Sequence, residues 1–286
     1  KEKFDKKLLI RNDGTSVYMT QDIGTAIKRF EDFPKSEKQI YTVGNEQDYH
    51  FKVLFKILEK LGYSWAKECY HLSYGMIDLP DGKMKSREGK VVDADELISI
   101  MKDTAKKRTT ELGKIDDFDG EDLTKLYHKI ALSALKYHLL KVDPKKKMLF
   151  NPDESIDFQG NTGPFLQYTY ARIRSIIKRA EILNINFGQK KFNSIKSISD
   201  NEKRIIDLIT NYKYMLELAA VSHSPSVICN YVYDLSKTYN SFYQEEKIFD
   251  GKNNETTSFK IALSDITSKV IKSSLNLLGI SVTNKM

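Results

Sequence analysis

The sequence predicts two styles of architecture in succession: an α/β layer with a parallel sheet, then an all-α bundle. Three observations point there. Short apolar runs alternate with a helical face over the first 100 positions. From about residue 115 onward, amphipathic stretches with helical spacing follow one another with little strand signal between them. The length, 286 residues, suits about two domains of roughly 150 residues each.

Short apolar runs at 8–10, 17–19 and 40–43 and a longer one at 70–79 are expected as strands. Between them, Phe51, Leu54, Phe55, Leu58 and Leu61 fall on one helical face. Strand, helix and strand in that order give a parallel pair with a helical crossover. In the second half, helices are expected through Leu123, Leu126, Ile130, Ala134 and Leu135, then through Leu166, Tyr170, Ile173, Ile177 and Ala180. A third follows through Ile205, Leu208, Tyr212, Met215 and Ala219, and two more at about 226–243 and 258–278. The polar stretches 184–199 and 250–257 (DGKNNETT) are expected as a loop and a turn.

Hydrophobic residues make up 40% of the chain, the mean hydropathy is −0.48, and no apolar stretch approaches the roughly 20 residues of a membrane span. The first residues, KEKFDKKLLI, lack the apolar core of a signal peptide, and the missing initiator Met suggests a piece of a longer protein. The two cysteines, Cys69 and Cys229, do not make a disulfide framework, so a reducing cytoplasm is expected. Cys69 and His71 form a lone C-x-H without a second pair, and no zinc site or other structural metal is expected. A net charge of +7 and a pI of about 9.0 suit a polyanion such as RNA, or a lysine-rich surface that only aids solubility.

The peptide with most chemistry is DGKMKSREGK at 81–90. A Pro-Asp-Gly turn releases the chain, and Lys83, Lys85, Arg87 and Lys90 follow with Ser86 among them. Cations and a hydroxyl at this spacing can close over a triphosphate and stabilise charge developing as pyrophosphate leaves; a solvated basic loop is the alternative. Upstream lie NDGTSVYMTQD at 12–22, YTVGNEQDYHF at 41–51 and HLSYGMIDL at 71–79. Downstream are GNTGPFLQYTYARIRSI at 160–176, NYVYDLSKTYNSFY at 230–243 and LNLLGISVTNKM at 275–286. In this order, the segments closely resemble the arginyl-tRNA synthetases. KMKSR resembles the family's variant of the class I KMSKS signature, with Lys85 in place of Ser and Arg87 in place of the second Lys. Asp234-Leu235-Ser236-Lys237 stands where the family's helix reads DALR.

That resemblance implies the second half of a class I, Rossmann-like nucleotide-binding fold over 1–115 and a helical anticodon-binding bundle over 116–286. It implies an arginine–tRNA ligase: ATP, with Mg²⁺, activates L-arginine, and tRNA(Arg) receives it. A carboxylate suits the forked guanidinium. Asp22 is the candidate, with Tyr18 four residues earlier and Gln47 as a further polar contact. Read without the resemblance, Asp22 is better taken as a helix N-terminal carboxylate satisfying backbone N–H groups. For ATP the resemblance implies Gly44, His50, His71, Gly75 and Met76, with Lys83, Ser86 and Arg87 of the loop in the catalytic role. A strand ending at Gly44 places Gln47 and His50 at the carboxyl edge of the sheet, where open α/β folds bind ligands. Phe165, Arg172, Tyr243 and Met286 match positions that contact the anticodon loop, although aromatic residues at helical spacing also build cores. Phe165 stands where the family usually has Tyr. The family's HIGH signature is not in this sequence. The chain is therefore expected to be inactive alone, and a non-catalytic RNA-binding module is the alternative. No membrane partner is expected, and the family implies a monomer.

Overall fold

A computed structural model describes residues 4–79, 82–83, 93–111, 113, 119–188, 192–193, 195, 197–249 and 255–286. The chain divides into two compact units. One comprises 1–76 with 144–147, and the other 77–143 with 148–286.

In the first unit, Ile10 and Ser16 bridge across a tight turn. Gly14 takes φ +83°, which only glycine adopts without strain. Asp13 Oδ1 accepts from the Thr15 amide at 3.0 Å and the Thr15 hydroxyl at 2.7 Å. These bonds hold the Asp13 carboxyl below its ordinary range. Helix α1 (Tyr18–Asp32) follows. The run 17–19, expected as a strand, instead ends in this helix. Met19, Ile23, Ala26 and Ile27 recur at three- and four-residue spacing, and that face packs inward. Strand β1 (Gln39–Gly44), a 3₁₀ turn (Asn45–Gln47), helix α2 (Asp48–Lys60), a second 3₁₀ turn (Ser64–Glu68) and strand β2 (Cys69–Tyr74) complete a βαβ unit. β1 and β2 are parallel, in register from Gln39↔Cys69 to Gly44↔Tyr74. Helix α2 buries Phe51, Val53, Leu54 and Leu58 against Met19, Ala26 and Ala66. Leu54 and Leu58 are fully buried, so truncating either to Ala costs about 2–5 kcal/mol. The segment Pro144–Lys147, distant in sequence, belongs to this unit. Gly75 N–H donates to Pro144 O at 2.6 Å.

The second unit begins with β3 (Ile77–Leu79), β4 (Gly82–Lys83), α3 (Ala94–Glu111), α4 (Gly120–Leu140) and β5 (Met148–Leu149). β3 pairs antiparallel with β4 and parallel with β5. Among the described residues, five helices follow the short α5 (Pro152–Ser155): α6 (Gly163–Ile182), α7 (Asp200–Thr210), α8 (Tyr212–Ser222), α9 (Ser226–Glu245) and α10 (Glu255–Leu277). The starts of α4, α6 and α7 are written in polar caps. Asp119 accepts from the Glu121 and Asp122 amides, Thr162 accepts from the Phe165 amide, and Ser199 forms a capping box with Glu202. The third expected helix is divided at Asn211, which closes α7 and opens α8. Helix α10 starts at Glu255, inside the expected turn; 250–254 lie outside the described residues.

Helix α3, not anticipated from the sequence, packs on α4 through Met101, Ala105 and Leu97. The change of style expected at about residue 115 therefore does not coincide with the division between compact units. The main core of this unit gathers Leu166, Ile173, Leu235, Tyr239, Phe242, Ile261 and Leu275. Tyr137 is fully buried, and its hydroxyl lies 2.6 Å from Asn161 Oδ1 and 3.0 Å from Cys229 O. Among the described residues, no helix is long and apolar enough to cross a membrane.

Candidate functional site

The first unit gathers its candidates at the carboxyl ends of β1 and β2. Gly44 is the last residue of β1, opposite Tyr74. The 3₁₀ turn behind it carries Gln47, which is exposed, and α2 then sets His50 one turn in. Asp22 comes from α1, half-buried, and His50 Nε2–H donates to its Oδ2 at 2.6 Å. The arginine candidate and a nucleotide candidate are therefore joined, 28 residues apart in sequence. Tyr18 lies one turn before Asp22 on the same face and is 81% exposed, so its hydroxyl is presented to solvent. A carboxylate fixed by one histidine keeps acceptor capacity for a second donor.

His71 sits differently. Its Nε2–H donates to Val43 O at 3.0 Å, its Nδ1 is 3.3 Å from Asp48 Oδ1, and its ring lies 4.3 Å from that of Phe51. Both nitrogens face protein partners, so His71 ties β2 to β1 and to the start of α2. Asp48 was not singled out from the sequence; as a first-turn helical carboxylate it reads as an ordinary helix start. Cys69 shares this strand. Burial pushes its thiol up to about 11, which removes the thiolate that a metal or electrophile needs. Among the described residues, no group of three His, Cys, Asp or Glu side chains could hold a metal ion. Gly75 is buried, and a Cβ there would fall on the Lys146 carbonyl. Met76, beside it, is half-buried. Lys83 lies in β4 opposite Asp78, in the second unit. Ser86 and Arg87 lie outside the described residues.

The second unit forms its own site. Arg172 of α6, Tyr243 of α9 and Met286 of the tail line one cavity of about 630 Å³ with Tyr168, Arg179 and Phe249. The Arg172 guanidinium lies 4.9 Å from the Tyr168 ring centroid and 4.8 Å from that of Tyr243. It donates to Asn240 Oδ1, and Asn240 Nδ2 in turn donates to Thr169 Oγ1 at 2.8 Å. Arg179 stands 4.7 Å over Phe249. Glu246, the one carboxylate side chain among the described lining residues, is bonded to Lys260 at 2.8 Å, which holds it below its ordinary range. The remaining surface offers cations and aromatic faces. Phe165 is not part of that lining. It packs 5.7 Å from the Tyr233 ring, against the core. Tyr168 and Arg179 escaped the sequence reading, although they stand four residues before and seven after Arg172, on the same face of α6.

Comparison with known proteins identifies the family. Residues 3–151 match the family described as tRNA synthetases class I (R), catalytic domain, and 166–286 match the DALR anticodon binding domain. An arginine–tRNA ligase of Flavobacterium psychrophilum is 54% identical over 282 residues, covering 99% of this chain and 46% of that protein. One from Bacteroides fragilis is 51% identical over 285 residues, covering 100% of this chain and 47% of its own length. The chain thus spans about half the length of the curated relatives it matches. The solved arginyl-tRNA synthetase of Thermus thermophilus shares the fold, with a TM-score of 0.83 at 22% identity, over 97% of this chain and 50% of that one. The chain belongs to the class I arginyl-tRNA synthetase family.

Proposed function

We propose that this chain forms part of an arginine–tRNA ligase, with the second half of the nucleotide-binding fold over 1–115 and the anticodon-binding bundle over 116–286. The observation that carries the reading is the convergence of Arg172, Tyr243 and Met286, from two helices and the tail, on one cleft of aromatic and guanidinium faces. Unstacked bases bind such faces.

In the ligase, the arginine carboxylate attacks the α-phosphate of ATP, giving arginyl-adenylate and pyrophosphate. A ribose hydroxyl of the terminal adenosine of tRNA(Arg) then takes the arginyl group and AMP leaves. Asp22, oriented by His50, receives the guanidinium, with Tyr18 and Gln47 beside it. Gly44, His50 and Met76 border the nucleotide, while Gly75 and His71 hold that border in place. Lys83, Ser86 and Arg87 act on the phosphates, and Mg²⁺ arrives with the triphosphate. The protein works by alignment and by charge stabilisation. It acts as a monomer in the cytoplasm, and the 286-residue chain alone does not catalyse arginine-dependent ATP–pyrophosphate exchange.

Binding of the chain to tRNA(Arg), beside the same tRNA with substituted anticodon bases, tests this at fixed salt. A loss of affinity on substitution is expected. Equal binding to both, fading together as salt rises, would overturn the anticodon role.

A further inference from the structure

A second cavity, of about 580 Å³, opens in the bundle between the start of α4, the end of α10 and the tail. Among the described residues, Lys125 and Lys129 of α4, Lys272 of α10 and Lys285 of the tail line it, against one carboxylate side chain, Asp122. All four lysines are exposed. Lys125 meets Glu121 at 2.6 Å, but that pair is open to solvent and worth little. The wall that the tail contributes is fixed. Lys136 Nζ donates to Gly279 O at 2.6 Å, Gln167 Nε2 donates to Ser281 O at 2.6 Å, and Ile280 is buried.

Where this cavity lies decides what it takes. Tyr170 lines it and Tyr168 lines the aromatic cleft. Two residues apart, they point about 200° from each other around α6. The tail reaches both places, because Lys285 lines the lysine cavity and Met286, the next residue, lines the aromatic one. Consecutive Cα atoms are about 3.8 Å apart, so neighbouring residues of the tail border both cavities. Lys125 and Lys129 are one helical turn apart, about 5–6 Å between Cβ atoms, which sets two ammonium groups along a line.

We propose that the cleft of Lys125, Lys129, Lys272 and Lys285 binds phosphodiester groups of the same RNA strand whose bases enter the aromatic cleft. This rests on the proposed RNA-binding function and adds to it a second contact surface, one that senses charge and not base identity. Lysines act there as hydrated point charges, so they supply affinity without reading sequence.

The test is binding of tRNA(Arg), and of its anticodon-substituted form, to the parent chain and to Lys129→Gln/Lys272→Gln across a salt series. Lys203→Gln/Lys213→Gln serves as a control that removes the same charge from α7 and α8. Each lost phosphate contact lowers the slope of log affinity against log salt by roughly 0.7–0.9, so the double variant should lose about 1.5 in slope. Its affinity should fall about tenfold or more at low salt, equally for both RNAs, with an unchanged melting temperature. An unchanged slope, or a control that loses as much, would overturn the proposal. If the parent itself fails to distinguish the two RNAs while the slope still drops, the anticodon reading fails and the phosphate cleft stands.

Discussion

Arg172 offers the sharpest test of the proposed RNA recognition by the bundle. Its guanidinium lies between the rings of Tyr168 and Tyr243, at 4.9 and 4.8 Å, and is anchored by Asn240. Each cation–π contact contributes about 0.5–1 kcal/mol in such a half-exposed place, so Arg172→Ala should cost the fold about 1–2 kcal/mol. The consequence for RNA is larger in effect. A base stacked on an aromatic or guanidinium plane contributes about 1–3 kcal/mol, and about 1.4 kcal/mol is a factor of ten, so losing one stack weakens binding by about 5- to 150-fold. Arg172→Lys separates plane from charge. It keeps the positive charge and loses the flat, forked face. In filter-binding or anisotropy titrations with tRNA(Arg), Arg172→Lys should therefore lose most of the anticodon discrimination while its salt slope stays that of the parent. Binding and discrimination within about twofold of the parent would show that only charge matters there, and the stacking argument would be wrong.

Other consequences are equally concrete. In the full-length ligase, Asp22→Asn removes a charge-assisted bond of about 1.5–3 kcal/mol, so the KM for arginine should rise by roughly 10- to 150-fold; an unchanged KM would remove Asp22 from the arginine site. Tyr137→Phe leaves Asn161 Oδ1 and Cys229 O without their hydroxyl partner, and urea unfolding should show a loss of about 1–3 kcal/mol. Gly75→Ala drives a Cβ onto the Lys146 carbonyl, so the first unit should lose about 1–3 kcal/mol and expose 144–147 to protease. Burial holds His138 below its ordinary value of 6.5. The unfolded chain then binds that proton more readily than the folded one, and stability should fall as pH drops below about 6.5 and level off above it. His138→Gln, which keeps a donor for Leu149 O, should flatten that part of the profile between pH 7.5 and 5.5 in denaturant titrations.

The first unit was the more legible from sequence because its chemistry is local. A strand ending at a glycine, a polar turn and a helix start put Gly44, Gln47 and His50 within seven residues, and the parallel register follows from the crossover helix. The sequence does not carry the answer where partners are remote. Asp22–His50 closes over 28 residues, and the partner of the Gly75 amide, Pro144 O, comes from a lysine-rich segment distant in sequence. Helix α3 was missed because its buried positions, Met101, Ala105 and Thr109, form a narrow stripe in a polar stretch. Phe165, singled out as a base contact, shares the face of α6 with Tyr168 and Arg172 but lies half-buried against Tyr233, outside that cavity's lining. The run 17–19 misled because three apolar residues fit either period, and only the continuation through Ile23 and Ala26 selects the helix.

In the helical unit, one element carries residues of both proposed RNA-binding surfaces. Along α6, Tyr168, Arg172 and Arg179 recur at helical spacing on one side, while Gln167 and Tyr170 face elsewhere. Gln167 is fully buried and spends its amide on Ser281 O, and that bond, with the one from Lys136, holds the tail against the helix. The tail is thereby fixed where its last two residues divide, Lys285 toward the lysine cavity and Met286 toward the aromatic one. If the tail is what joins them, Gln167→Leu should loosen both at once. It removes the amide that holds Ser281 O, while all four lysines and both tyrosines remain. RNA affinity should then fall in its salt-dependent part and in its anticodon-dependent part together. A variant that lost only one of the two would mean that the cavities are held independently and that the tail is a bystander.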